Sequence, residues 1–533
     1  MHRLVAGGTR YAIATPHRAA TEAGREAYER GGNAVDAALA AAAVLAVVYP
    51  HMCSIGGDLF ALLRYPTGEL LGFNGSGAAP RALTRELVGD SVPSMPLAGP
   101  LTVTVPGVVH AWGDLSSAGS RLPFSQLLER AIDCAEAGCP VAGSLDKSLA
   151  DASDAILRDP GLSSVFVSNG RMLQADDRLR QPRLARTLRE IASEGPRTLY
   201  GGPTGERLVH GLRRLGCPVE LADLAAHRTE RVEPITSEWK GWEVSTTPPN
   251  SQGYVLLQLL AVLERLDVTP DALGPDAPLL AAVYRLTADE RDHLLADPRK
   301  SPGLVADLLS DAHISALAEE AKRTPQSACG RAKGEANSSA PASGDTVAVV
   351  AADAEGWAVS LIQSVFHSFG AGILEVETGI VCHNRGACFS LDPDSPNVLE
   401  AGKRPLHTLM PLLVQRQGHL ALVAGTMGGR AQPQIHAQLL ARALRHDLPL
   451  EQTLAAPRWV VSSLDEGGPD SVIFAEKSAS DLVGPILAST GMEVVTLEDF
   501  DEDVGHAQYL RVGPEKRLTA ATDPRADGSA AAG

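Results

Sequence analysis

The sequence predicts an α+β protein whose helices and strands are largely segregated along the chain. Three observations lead there. From about Leu122 to Ala321 apolar residues recur with helical spacing. The next stretch, TPQSACGRAKGEANSSAPASG, holds almost no large apolar residue. The remainder of the chain, from Thr346, falls into short β-branched and apolar runs bounded by turn residues.

Each element has its own local signal. The first ~110 residues alternate apolar runs with Gly and Pro punctuation, which reads as strands and buried helices. The run Ala37–Val48 is opened by GGNAVD, with Asn33 as N-cap, and reads as a buried helix too short to span a bilayer. FSQLLERAIDCAEAG and PLLAAVYRLTADERDHLLAD both carry apolar residues at i, i+3, i+4 and i+7. Between them, WEVSTTPPNSQGY reads as a strand and a Pro-rich turn. Residues 324–345 form a linker, because such a composition cannot bury enough surface to offset its ordering entropy. Then TVAVVAA, the turn DAEG and WAVSLIQSVF form a hairpin starting at Thr346. HLALVAGT, DSVIFAE and EVVTL are further strands, Gln434 to Leu444 is a helix, and the residues from about Ala526 read as a disordered tail.

A chain of 533 residues is too long for one ordinary core, so two or three lobes or one large layered domain are expected. With 44% hydrophobic and 21% charged residues the composition is that of a globular protein. A net charge of −17 argues against nucleic acid or an anionic membrane as partner. The first residues, MHRLVAGGTRYAIATPHRAA, lack a sustained apolar core, so no signal peptide is expected. The seven cysteines are scattered without a CxxC, which together with that start gives a cytoplasmic expectation.

A strand that begins directly after so polar a segment suggests a junction meant to be cut. If the bond between Asp345 and Thr346 opens, Thr346 becomes an N-terminus. A hydroxyl is a weak nucleophile without a base beside it, and a free α-amine, with a pKa of about 7.7–8, is such a base. Before cleavage the same hydroxyl can attack the carbonyl of Asp345. The alternative is that Thr346 is only the first β-branched residue of a strand.

Several motifs in order settle which alternative to expect. GGNAVDAALAAAAVLAVVYPHMCSIGGDLFALL, TVTVPGVVHAW, TTPPNSQGYVLLQLL, RPLHTLMPLLV, AGTMGGRAQPQ, AAPRW and TDPR resemble those of the γ-glutamyltransferase family, from about Ala12 to Arg525. The resemblance implies a four-layer αββα sandwich of the N-terminal-nucleophile hydrolases with a helix-rich large-subunit lobe. It further implies autocleavage into a large subunit, 1–345, and a small subunit, 346–533, that stay associated, and an acyl-enzyme on Thr346. Residue by residue, Ser364 falls where the family has a hydroxyl that orients the nucleophile, and Gly428 and Gly429 fall on its oxyanion-hole glycines. No metal or cofactor is implied, and the substrate is a small-molecule amide.

The family's glutamyl pocket is not matched. Ser76 stands at its carboxylate-binding Arg, Phe366 at an Asn, Cys388 at the acid that holds the α-ammonium, and His407–Thr408 at a serine pair. Arg385 replaces a Glu or Gln, and Arg430 follows the glycines. These two cations could meet a carboxylate on an acyl group, or be structural arginines paired with acids. The pattern is similar to a divergent branch with cephalosporin-acylase-like and oxamate-amidohydrolase-like members. The expectation is therefore an amide hydrolase or acyltransferase for acyl groups with a carboxylate but no α-ammonium. A γ-glutamyltransferase or glutathione hydrolase proper, and an uncleaved binding protein, are the alternatives. HExxH, GxxxxGK[ST] and GxSxG motifs are absent, and His51, His110 and His407 read as isolated packed or surface residues.

Overall fold

The computed structural model describes residues 3–89, 91–300, 302–323, 345–463 and 471–533. Residues 324–344 of the expected linker lie outside the described residues, and Asp345 already belongs to a strand.

Among the described residues fourteen strands make two large sheets. In chain order they are β1 (Val5–Gly8), β2 (Tyr11–Thr15), β3 (Asp58–Arg64), β4 (Leu70–Asn74), β5 (Glu230–Val232), β6 (Ile235–Trp239), β7 (Trp242–Thr246), β8 (Asp345–Asp353), β9 (Ala358–Phe366), β10 (Leu412–Arg416), β11 (His419–Thr426), β12 (Ala507–Val512), β13 (Leu518–Thr522) and β14 (Ser529–Ala532). The first sheet runs β14–β2–β8–β9–β3–β4–β5 and the second β1–β13–β12–β11–β10–β7–β6. Every pairing within them is antiparallel.

The layering follows from β8 and β9, which are apolar on both faces. Val347, Val349, Ala351, Val359 and Leu361 pack into a helix-side core that includes all of α2 (Ala34–Val48) except the capping Asp36, and parts of α1 (Arg18–Glu29) and α3 (Phe124–Ala137). Ala348, Val350, Ala352, Ala358 and Ile362 face the other sheet, against Leu409, Leu413, Val423 and Leu510. A second helix layer, with α4 (Gly253–Arg265), α5 (Ala277–Leu294) and α6 (Gln432–Leu440), covers the outer face of the second sheet. The result is the helix–sheet–sheet–helix stack of the αββα expectation.

Local signals account for the seating of these parts. The predicted N-cap of α2 is a full capping box: Asn33 Oδ1 accepts from the Val35 and Asp36 amides, and Asp36 Oδ2 accepts from the Asn33 amide. The Ala34 amide donates to Asp353 Oδ2 at 3.0 Å, which pins the β8–β9 turn to the helix start. Two boundaries differ from expectation. The helix expected over Gln434 to Leu444 is α-helical over Gln432–Leu440 and continues as a wider turn over Ala441–Arg445. The expected disordered tail instead forms β14 on β2, because small residues with no bulk to place can still complete a backbone ladder.

Ser360 joins the sheets. Its hydroxyl donates to Ala424 O at 2.7 Å on β11 and accepts from the Leu412 amide at 3.2 Å on β10. Both partners are buried, so Ser360→Ala is expected to destabilise by about 2 kcal/mol through two unsatisfied groups. Urea unfolding should show a lower midpoint at an unchanged m-value.

Candidate functional site

The sheet registers put three polar side chains in one row at the end of the inter-sheet gap. Thr346 on β8 pairs with Ser364 on β9, and Ser364 pairs with Asp58 on β3. All three are buried, Thr346 to 1% exposure. They share the face of Ala348, Ile362 and Phe60, which line the gap. The first pairing is reached through a β-bulge, since Asp345 pairs with Phe366 and Val365 is skipped. Phe366 sits there at φ 82°, a left-handed conformation that is strained for a Cβ-bearing residue. Close approach is also needed on the other side: a Cβ on Gly57 would lie 2.2 Å from Ser364 O.

The bulge organises a hydroxyl relay. The Phe366 amide donates to Ser364 Oγ at 2.7 Å, and Thr346 Oγ1 donates to the same oxygen at 3.3 Å. Ser364 Oγ in turn donates to Asp345 O at 2.5 Å, the carbonyl of the bond in question. The structure thus brings Thr346, Ser364 and Asp345 together in the uncut chain. Burial first, and then Glu502, hold the Asp345 carboxyl well above the usual carboxylate range, which favours its neutral form.

Gly428 and Gly429 follow β11, which packs across β8 and β9. Their φ values of 135° and 50° suit glycine, and a Cβ on Gly428 would meet Ile435 at 2.4 Å. Gly428 O accepts from the Ala431 amide at 2.9 Å and Gly429 O from Gln252 Nε2 at 2.8 Å. Neither glycine amide donates to another described residue.

Next to the row lies a buried charged cluster that motif reading does not anticipate. Asp58 Oδ2 is 3.0 Å from His407 Nε2, 3.2 Å from His383 Nδ1 and 3.9 Å from Arg385 Nε. Its other oxygen accepts from the Gly77 amide at 3.1 Å. Burial alone would raise the Asp58 carboxyl, but the neighbouring His383 and the hydrogen bond from His407 hold it well below the usual range. The Leu409 amide donates to His407 Nδ1 at 3.3 Å, so Nε2 carries the ring proton toward Asp58. His407 is therefore not an isolated packed residue, contrary to expectation. The signal that could have found the cluster is Asp58 itself, an acid inside the apolar run DLFALL that is buried on both faces of β3.

Arg385, 1% exposed, lies with its Cζ 4.0 Å from the centre of the Phe366 ring. Its Nη1 donates to Thr408 Oγ1 at 3.3 Å and to Cys388 Sγ at 3.7 Å. Nε and Nη2 make no hydrogen bond to described residues. Phe366, Arg385, Cys388, His407 and Thr408 are thus brought together. Ser76 is not drawn into that group by its hydroxyl, which donates to Asn74 Oδ1 at 2.6 Å and accepts from Asn250 Nδ2 at 3.2 Å. Arg430 pairs with Asp292 at 2.6 Å on α5. Among the described residues no three of His, Cys, Asp and Glu could hold a metal ion, and no helix is long and apolar enough to cross a membrane.

Two packed antiparallel sheets between helix layers, with a threonine near the start of a central strand, define the fold of the N-terminal-nucleophile hydrolases. Within that class the chain matches the Gamma-glutamyltranspeptidase family model over residues 20–533 and belongs to that family. It is 36% identical to the oxamate amidohydrolase proenzyme of Klebsiella pneumoniae over 525 residues, 97% of either chain. It is 34% identical to the glutathione hydrolase-like YwrD proenzyme of Bacillus subtilis, over 98% of either chain. Among solved structures, a cephalosporin acylase from Bacillus halodurans superposes with a TM-score of 0.89 at 31% identity, covering 100% of this chain and 97% of that one.

The cluster makes a pH prediction. Burial first, and then Arg385, hold His407 down to about 3, against an unfolded value of about 6.5. Between those values the unfolded chain binds a proton that the fold refuses, so stability falls as pH drops below about 6.5. His407→Gln retains an amide donor for Asp58 and is expected to flatten the slope of unfolding free energy between roughly pH 6 and 4 by about 1.4 kcal/mol per pH unit. Urea titrations across that range read the slope, and an equal slope in both proteins would contradict a neutral His407.

Proposed function

We propose that the chain is a self-processing amide hydrolase that works through an acyl group on Thr346 Oγ1. The observation that carries this is the relay of Thr346 Oγ1 to Ser364 Oγ to Asp345 O. In maturation Thr346 Oγ1 attacks the Asp345 carbonyl carbon while Ser364 donates to the oxygen that gains charge. The carbon–nitrogen bond breaks, the hydroxyl proton ends on the released Thr346 amine, and an ester remains. Water opens that ester, leaving a carboxylate on Asp345 and a free hydroxyl and α-amine on Thr346. In turnover the α-amine takes the hydroxyl proton, Oγ1 attacks the substrate carbonyl, and the amides of Gly428 and Gly429 receive the oxyanion. The protonated amine then hands its proton to the leaving nitrogen, and water hydrolyses the acyl-threonine.

The acyl group in this reading carries a carboxylate and no α-ammonium. Support comes from Arg385, a buried cation whose Nε and Nη2 lack hydrogen-bond partners among the described residues. Cys388 supplies no acid for an ammonium. Oxamate, the substrate named for the Klebsiella relative, has such an acyl group. Ser76 and Phe366 supply neither the Arg nor the Asn with which the family grips a zwitterionic glutamyl donor, and the glutathione hydrolase-like relative makes that donor the comparison to test.

Two measurements test the proposal. Intact-mass spectrometry of the purified protein should give two fragments, the smaller beginning Thr-Val-Ala-Val-Val, with Thr346→Ala uncut. A single intact chain after long incubation would instead favour a binding protein. The matured protein should hydrolyse oxamate or glutaryl-p-nitroanilide faster than γ-glutamyl-p-nitroanilide, and Arg385→Gln should lower kcat/KM by roughly 10–100-fold, the loss of one charge-assisted contact. Good turnover of the γ-glutamyl amide alone, stimulated by a dipeptide acceptor, would reassign it as a transferase.

A further inference from the structure

The loop carrying Gly428 and Gly429 lies after the cleavage point, yet much of what holds it lies before. Gln252, wholly buried just ahead of α4, donates from Nε2 to Gly429 O at 2.8 Å and to Thr408 O at 2.8 Å. Its Oε1 accepts from Arg291 Nη1 at 3.0 Å, and the same Nη1 donates to Arg430 O at 2.8 Å. Arg291, on α5, is itself fixed by Asp292, at 2.8 Å through Nε and 3.2 Å through Nη2. Asp292 then reaches the Arg430 guanidinium at 2.6 Å.

This arrangement answers a physical need. Glycine leaves the dihedrals on both sides of the two amides soft, so their direction has to be set from outside. One side is anchored within the later segment, where the Met427 amide donates to His506 O at 2.9 Å. The exit side is anchored by Gln252 on Gly429 O and by Arg291 on Arg430 O. The same Gln252 nitrogen also holds Thr408, whose hydroxyl receives Arg385 Nη1. One side chain therefore ties the segment carrying the two glycine amides to the segment whose Thr408 receives the buried cation. A glutamine that only filled space would not need both amide hydrogens on these two carbonyls and an arginine on its oxygen.

We propose that Gln252, held by Arg291 and Asp292, is the positioning residue that aims the Gly428 and Gly429 amides relative to the acyl pocket. It acts across the cleavage point, from residues 1–345 onto residues 346–533. The proposal rests on the reading that these amides receive the oxyanion, and it makes residues 252, 291 and 292 part of the catalytic geometry although none touches substrate.

The test compares wild type with Gln252→Glu, which keeps the volume and the acceptor for Arg291 but removes both donors, and with Asp292→Asn, which loosens Arg291 and Arg430 without altering the core. On the p-nitroanilide or oxamate assay, Gln252→Glu should lower kcat about 10–100-fold, approaching the loss of an oxyanion donor, with KM within about twofold. Asp292→Asn should change kcat in the same direction by less. Amide hydrogen exchange by mass spectrometry should show faster exchange in the peptide spanning 427–431, with exchange in β8 and β9 unchanged. A parallel rise in KM, an unchanged kcat, or unchanged exchange over 427–431 in a folded variant would overturn the assignment. If wild type turns over none of the probes, the acyl-threonine reading is what fails, and the exchange measurement alone decides whether Gln252 positions the loop.

Discussion

A one-residue slip between β8 and β9 would turn Thr346 from the inter-sheet gap into the helix layer, because side chains alternate faces with period two. The register is held against that slip from both faces at once. Val347, Val349 and Ala351 need the helix side, and Ala348, Val350 and Ala352 need the gap. The skipped Val365 and the left-handed Phe366 then let the relay form at the strand's end, where a regular ladder would leave Ser364 without the Phe366 amide. The strain at Phe366 is borne by a ring stacked under Arg385 and by that hydrogen bond, so local distortion and local chemistry have the same cause.

Electrostatics at the site is a matter of sharing. One carboxylate, Asp58, serves two imidazoles and a guanidinium, and one guanidinium, Arg385, serves a hydroxyl, a thiol and a ring face. Neither group has its capacity filled by a single partner. A dedicated Arg–carboxylate fork would neutralise the cation and leave it inert. The looser arrangement keeps Arg385 buried and held while leaving Nε without a hydrogen bond among the described residues.

The parts legible in the sequence are those governed by local pattern. The unbroken apolar run of β8 announces a strand buried on both faces, and GGNAVD announces the start of α2. Thr346, Ser364 and the glycine pair stand out as candidates because their surroundings match a family in order. The features that stay hidden depend on positions far apart in the chain. Asp58, His383 and His407 meet only because β3 lies beside β9 and the 405–409 segment closes over Phe60. Arg430 is visible as a cation, but its partner Asp292 is 138 positions away on α5. The C-terminal strand β14 is missed because its residues have no β-branched signal and gain their place from β2 alone.

The strand order has a consequence for assembly. In the first sheet β8 and β9 lie between β2 and β3, and in the second β10 to β13 lie between β1 and β7. The strands on either side of each block come from before residue 345, the blocks themselves from after it. A chain opened at that bond is therefore two interleaved pieces that cannot slide apart without dismantling both sheets. Folding of the intact chain is unimolecular, but recovery of the opened one after denaturation needs two pieces to meet, so it slows with dilution. Cutting would act as a ratchet: the native form is reached once by a path that no longer exists afterwards, and its persistence becomes a question of unfolding rate and no longer of equilibrium.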